Sequence, residues 1–380
     1  MDASLEWIKN EHLNRMWSRV ADRWASFGPY YAMFPVSFAR SVIAEHTSVG
    51  DLIVDPFSGR GTSLFCAYEA GRQAVGSELN PVGWVYSVTK LNPAAEDLVL
   101  TRLSSLACQA QESKPSREGL SVFFERCFCP RVLDFLLIAR ANLNWRNSVV
   151  DRTLMAFILT YLHGKIGDSG QPQALSNQMR QTKAMAPDYS VRWWEANGFR
   201  SPPDICPSEF LRSRISWRYK HGAPRFDRLA SKLGDCRKVI MREGKRRPAE
   251  AKLLLTSPPY CGVTSYYYDQ WLRFWMLGDS SHPTREGEQW KSKFENAEAY
   301  RSLLFQAFSA CQPLLANDAK LYVRTDARPL TLDATLQVLR QLFPKKHLAI
   351  VEAPFTKPTQ TFLFGDKSLK PGEVDIILQP

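Results

Sequence analysis

Asp51-Leu52-Ile53-Val54-Asp55 runs directly into Pro56-Phe57-Ser58-Gly59-Arg60-Gly61-Thr62. A short apolar run of this kind reads as a strand covered on both faces. Gly59 and Gly61 then permit a tight turn and close backbone approach to a ligand, because neither carries a Cβ. Thr62 to Ala70 reads as a helix closed by Gly71, and Ala74-Val75-Gly76 as the next strand. Strand, glycine turn, helix and strand in that order open a doubly wound, mostly parallel, Rossmann-like α/β sheet.

The remaining elements fit around that opening. Trp7, Leu13, Trp17, Val20 and Trp24 predict an amphipathic N-terminal helix, and Phe38, Val42 and Ile43 a short apolar one. Helical periodicity spans Phe124 to Leu143 and Asp151 to Ile166, with Asp151 expected as an N-cap. Residues 167–207 show little periodicity, and Ser208 is expected to cap a basic helix reaching Lys220. Strands are predicted at Leu253–Leu255, Lys320–Val323, Leu348–Val351 and Thr361–Phe364. The expected organisation is an N-terminal helix plus the first half of an α/β domain over 1–95. A largely helical insert follows over 96–225, and the second half of the domain over 226–380.

The formal charge is +11, and its placement is the informative part. From Arg180 to Arg247 there are 17 Lys and Arg against 7 Asp and Glu, so nearly all the excess lies in one middle stretch. Basic side chains that neutralise phosphates release condensed counterions, so a polyanionic partner is the simplest reading. A solvated basic face is the alternative. The eight cysteines show no paired CxxC spacing, which argues against structural zinc or a disulfide framework. With no apolar stretch of about 18 residues and no charged-then-apolar leader, a cytoplasmic chain without a membrane span is expected.

Two constellations carry chemistry. Gly59 and Gly61 bring the start of the following helix towards an anionic group. Glu78 lies 23 residues after Asp55, at the end of the second strand, where an acid can accept both hydroxyls of a ribose. The second constellation is Thr256-Ser257-Pro258-Pro259-Tyr260, directly after the apolar strand Leu253–Leu255. Two successive prolines cannot continue a strand ladder and stiffen a projecting loop. In a doubly wound sheet this loop would face the glycine turn across the switch point. An exocyclic base amino group is a poor nucleophile, its lone pair being delocalised into the ring. The Ser257 hydroxyl and the Pro258 carbonyl can accept its N–H groups, while Tyr260 stacks on a base that has left the duplex. A rigid surface turn is the alternative for the loop alone.

Together these segments resemble the amino-group DNA methyltransferases, which make N4-methylcytosine or N6-methyladenine. Asp55, Pro56, Phe57, Gly59, Gly61 and Thr62 look like that family's S-adenosylmethionine motif, and Glu78, Leu79 and Asn80 like its ribose-binding strand end. The Tyr31–Phe38 segment, with Phe34 and Pro35, resembles the element beside the methionine part of the cofactor. Asp235 resembles the residue that contacts the adenine ring, although the insert falls earlier in the chain than that family pattern leads one to expect. Ser257, Pro258, Pro259 and Tyr260 look like the catalytic motif in its serine-first form, most often associated with cytosine N4. The resemblance implies double-stranded DNA as partner, and admits a cognate restriction endonuclease as a second.

The insert is the candidate for target recognition. Ser176, Asn177, Gln178, Arg180 and Lys183 offer amide and basic groups to base edges and phosphates. Arg192 lies among Tyr189, Trp193 and Trp194, and the tryptophans equally suit anchoring of the insert. Arg212, Arg214, Arg218 and Lys220 read as phosphate contacts or as a solvated helix face. Tyr266-Tyr267-Tyr268-Asp269 suits covering the base pocket or packing. An adenine-N6 enzyme, an RNA guanine-N2 methyltransferase and an inactive nucleic-acid-binding module are the competing readings. A cytosine-C5 enzyme is excluded, since no Pro-Cys pair follows a strand near the pocket.

Overall fold

The structure is a computed structural model that describes residues 20–30, 35–260, 266–283, 296–353 and 372–380. Thr361–Phe364, the N-terminal positions Trp7 to Trp17, Phe34 and the side chains of Tyr266 and Tyr267 lie outside the described residues. The chain divides into two compact units.

The first unit comprises Tyr30–Ser87, Leu229–Asp269 and the described part of Thr284–Pro380. Its sheet has seven strands: β1 (Leu52–Asp55), β2 (Gln73–Glu78), β3 (Ser231–Leu233), β4 (Ala251–Thr256), β5 (Leu315–Asp326), β6 (His347–Ala353) and β7 (Glu373–Gln379). Their order is β3-β2-β1-β4-β5-β7-β6. β7 pairs antiparallel with both neighbours, and the other pairings are parallel. Leu253, Leu254 and Leu255 are all fully buried, as a central strand covered on both faces requires.

Alternation along the strands assigns the two faces. Leu52, Val54 and Val75 join Ile240, Leu304, Phe308 and Val338 in a core beneath the helices Cys236–Arg246, Ala297–Cys311 and Pro329–Leu342. On the other face Gly76 meets Leu64 of helix Thr62–Glu69, and Tyr322 meets Phe38 of helix Val36–His46. Helices thus cover both faces, and the order reverses between β1 and β4. This is the doubly wound, mostly parallel sheet expected from the opening of the chain. β7 was not anticipated, although Val374 to Leu378 is an apolar run broken only by Asp375.

The second unit gathers Val88–Arg228 and Gln270–Pro283 with residues 20–29, and its described regular elements are helices. Residues 151–160 of helix Val149–Tyr161 are buried on every side, which marks it as the unit's central helix. Four local expectations are corrected. Ser148, not Asp151, caps that helix, its side chain accepting from the Asp151 amide, while Asp151 accepts from Arg102 and from the Asn144 amide. The Phe124–Leu143 run is two helices, Val122–Cys127 and Pro130–Asn142, because Pro130 cannot occupy a helix interior and opens a new one. Pro207 opens the basic helix with Cys206 at the cap position, leaving Ser208 inside it, and a helix Pro187–Ala196 lies in the stretch that lacked clear periodicity. Among the described residues no helix is long and apolar enough to cross a membrane.

Candidate active site

The two sequence constellations meet at the carboxyl ends of β1 and β4. Thr256 Oγ1 donates to Asp55 Oδ1 at 2.6 Å, and the Phe57 amide donates to the same oxygen at 3.1 Å. The Ser63 hydroxyl donates to Oδ2. Burial raises the Asp55 carboxyl to about 6 despite these three donors. Pro56 is buried behind the turn and Phe57 half-buried against the core.

Gly59 and Gly61 adopt φ +53° and +74°. A Cβ on Gly61 would lie 2.1 Å from Ser87 Oγ, which excludes a side chain there, and one on Gly59 would lie 3.3 Å from the Tyr30 ring at a strained φ. Glu78 is buried at the end of β2, with Oε1 accepting from the Asn80 amide at 2.7 Å. Desolvation raises its carboxyl to about 7, opposed by the Asn80, Gly59 and Leu79 amides. Leu79 is exposed and Asn80 buried. Asn80 Nδ2 and Thr62 Oγ1 are buried without a hydrogen-bond partner. Gly83 completes the rim unpredicted, since a side chain there would lie 3.0 Å from the Gly59 carbonyl and 3.1 Å from Glu78 Cγ.

Gly234 and Asp235 lie beside the same strand end. The Gly234 amide donates to Glu78 O at 2.9 Å, and Ser77 Oγ donates to Gly234 O at 2.8 Å. Asp235 caps helix Cys236–Arg246, and Arg237 Nε reaches both its oxygens at 2.8 and 2.9 Å. Pro35 is exposed at the start of helix Val36–His46.

Beyond Thr256 the loop leaves Pro258 buried, with Ser257, Pro259 and Tyr260 half-buried. Ser257 Oγ donates to Tyr260 Oη at 3.4 Å, and Tyr260 Oη donates to Glu373 Oε1 at 3.4 Å. Glu373 opens β7, and its other oxygen lies 3.2 Å from Arg324 Nη1. Sequence reading missed Ser63, Arg324 and Glu373, and gave Thr256, which it placed in the loop motif, no partner. None of those three carried a local signal.

The insert's candidates divide by exposure. Asn177 is fully buried, and its Nδ2 donates to the Arg126 and Phe199 carbonyls at 3.0 and 2.9 Å. Ser176 is buried and donates to Asn177 O. Arg218 is buried against the Phe27 ring and donates to Arg23 O. These three are buried, and the hydrogen bonds they make inside the unit brace it. Gln178 Oε1 accepts from the Ile166 amide, and Arg214 lies over Tyr161 and Phe210. Buried Arg273 donates to Gln181 O at 2.6 Å, and His163 Nδ1 meets Arg180 O at 2.7 Å, so both fix the backbone that carries Arg180 and Lys183. Arg180, Arg192, Arg212 and Lys220 are exposed and Lys183 half-exposed. Trp194 is buried, whereas Trp193 is exposed and stacked on Phe199.

Residues 4–82 match the N6_N4_Mtase family model, described as DNA methylase. Over 78 residues the chain is 36% identical to the type II methyltransferase M.Cfr9I of Citrobacter freundii, covering 20% of this chain and 25% of that protein. Over 54 residues it is 41% identical to the type II methyltransferase M.XycI of Xanthomonas campestris pv. cyanopsidis, covering 14% and 18%. The chain therefore spans a quarter or less of these relatives' own length. It also aligns with the rRNA methyltransferase aviRa of Streptomyces viridochromogenes over 93% of this chain and 87% of that one, at 13% identity and TM-score 0.32. Over these segments the chain is similar to the N6_N4_Mtase family model and to type II methyltransferases.

Proposed function

We propose that this chain transfers a methyl group from S-adenosylmethionine to an exocyclic amino group in double-stranded DNA, with cytosine N4 as the target. The observation that carries the reading is the Thr256–Asp55 hydrogen bond, which fixes the Ser257–Tyr260 loop beside the glycine turn. The turn fits the donor on its own geometry. Gly61 leaves no room for a side chain and Gly59 turns at positive φ, Asn80 Nδ2 and Thr62 Oγ1 are unused, and Glu78 presents a carboxylate for ribose hydroxyls. Bound there, the donor supplies an electrophilic methyl on a sulfonium sulfur. Pro35, Asp55, Pro56, Phe57, Leu79, Asn80 and Asp235 complete its binding in this reading, Asp235 sharing its carboxylate with Arg237.

Ser257 Oγ and the Pro258 carbonyl accept the amino N–H groups and favour a tetrahedral nitrogen, while Pro259 stiffens the loop and Tyr260 stacks on the extruded base. Gln178, Arg180, Lys183, Arg192, Arg212, Arg214 and Lys220 contact the duplex. A paired restriction endonuclease and a cytoplasmic setting belong to the same proposal. The purified chain, given donor labelled on the methyl group, is expected to label duplex DNA and not RNA. Label in RNA alone would replace DNA with RNA as substrate.

A further inference from the structure

We infer that Glu373 takes up the proton shed by the target amino group, delivered through Ser257 and Tyr260. This rests on the amino-methylation reading above. When the amino nitrogen attacks, a nitrogen–carbon bond forms and the donor's carbon–sulfur bond breaks, its electron pair staying on sulfur. The nitrogen becomes cationic and must lose a proton. Ser257 cannot keep that proton, because a protonated hydroxyl is far too acidic. Ser257 Oγ accepts the proton from nitrogen and passes its own to Tyr260 Oη, which passes its own to the Glu373 carboxylate. Glu373 later releases it to solvent, restoring the chain.

The hydrogen bonds already run in that direction. Ser257 donates to Tyr260 and Tyr260 donates to Glu373, each at 3.4 Å, which leaves the Ser257 lone pairs to face an amino group. Such contacts are often long before substrate binds and tighten in the complex. The acceptor is also fixed in place. Arg324 Nη1 lies 3.2 Å from Oε2, which leaves Oε1 to Tyr260. Arg324 is itself clamped by Asp375 at 2.6 and 2.7 Å and lies 3.4 Å over the Phe38 ring. The charged groups around Glu373 are Arg324 and Asp326 on β5 and Asp375 on its own strand, with Tyr260 from the loop. On β6 its register partner is Ala353, beside Glu352. Burial raises the Glu373 carboxyl above its ordinary range and outweighs Arg324, while Asp375 and Asp326 push the same way as burial. A carboxyl raised towards neutrality is a better-matched proton acceptor than an exposed one.

The test is single-turnover methyl transfer to DNA across about pH 5 to 9 at saturating donor, comparing wild type, Glu373→Gln and Tyr260→Phe. Glutamine still accepts the Tyr260 hydrogen bond but takes no proton. Glu373→Gln is expected to slow transfer by about 10²-fold and to lose the acid limb of the profile, with donor affinity unchanged. It should add little further loss on top of Tyr260→Phe. In infrared difference spectra of the free protein, Glu373→Gln should remove a carboxyl band that titrates above the usual carboxylate range. A wild-type rate and acid limb in Glu373→Gln would reduce Glu373 to a prop for Tyr260 and overturn the relay alone. A wild type that transfers nothing to DNA would overturn the amino-methylation reading, and the relay with it.

Discussion

Thr256 Oγ1 and Asp55 Oδ1 lie 2.6 Å apart at the ends of two adjacent parallel strands, although 201 residues separate them in sequence. Both groups are buried, so the bond is shielded from water and joins the loop that follows β4 to the turn that follows β1. Replacing Thr256 with Val keeps the shape and removes the donor. Asp55 then keeps only Ser63 and the Phe57 amide, and denaturant unfolding should show a loss of about 1–3 kcal/mol. Thr256→Ser should recover most of it. Equal stability of Thr256→Val and wild type would remove this bond from the account.

In the proposed site Glu78 links donor binding to a pH-dependent cost. Its carboxyl is raised from 4.5 to about 7 by burial, so the folded chain holds that proton more tightly than the unfolded chain. The resulting stability is fully present below the unfolded value of 4.5 and is lost as pH rises through about 7. Glu78→Gln stays neutral throughout. Its melting temperature should therefore match wild type near pH 4 and exceed it at about pH 8, while donor affinity falls about tenfold or more. Asp55 titrates in both proteins, and its charge pushes Glu78 up less than burial does. Parallel melting curves at every pH would contradict the raised carboxyl.

Bracing and contacting residues in the helical unit should separate cleanly. Asn177→Ala strands two part-buried carbonyls and should lower the melting temperature. Arg192→Ala with Lys220→Ala removes two exposed charges and should leave melting unchanged. The same pair should reduce the slope of log affinity for DNA against log salt by about 2. A melting loss in that pair without a change in slope would reverse the assignment.

The legible part of the fold was its local part. Leu52–Asp55, the glycines and Glu78 lie within one strand–turn–helix–strand unit, so neighbouring residues dictate their geometry. The Ser257–Tyr260 loop was legible because two prolines after an apolar strand leave few alternatives. The partners of these groups were not legible. Whether Thr256 meets Asp55, or Arg324 braces Glu373, depends on strand order and register, which periodicity does not encode. Asn177 is a different case, since an amide suited to a base edge suits an unpaired backbone carbonyl equally well. Ser148 displaced Asp151 as a cap because both residue types favour the helix start, and only the backbone decides which one precedes the first turn.

The central claim is methyl transfer to an exocyclic amino group by the loop at Ser257. Nucleoside mass spectrometry of plasmid DNA from cells expressing the chain, against cells expressing Ser257→Ala, tests it most directly. The account predicts an N4-methylcytosine peak with the wild type and its loss in the variant. N6-methyladenine in its place would keep the chemistry and overturn the cytosine target. The same peak at full height in Ser257→Ala, or no methylated base with either protein, would contradict the account.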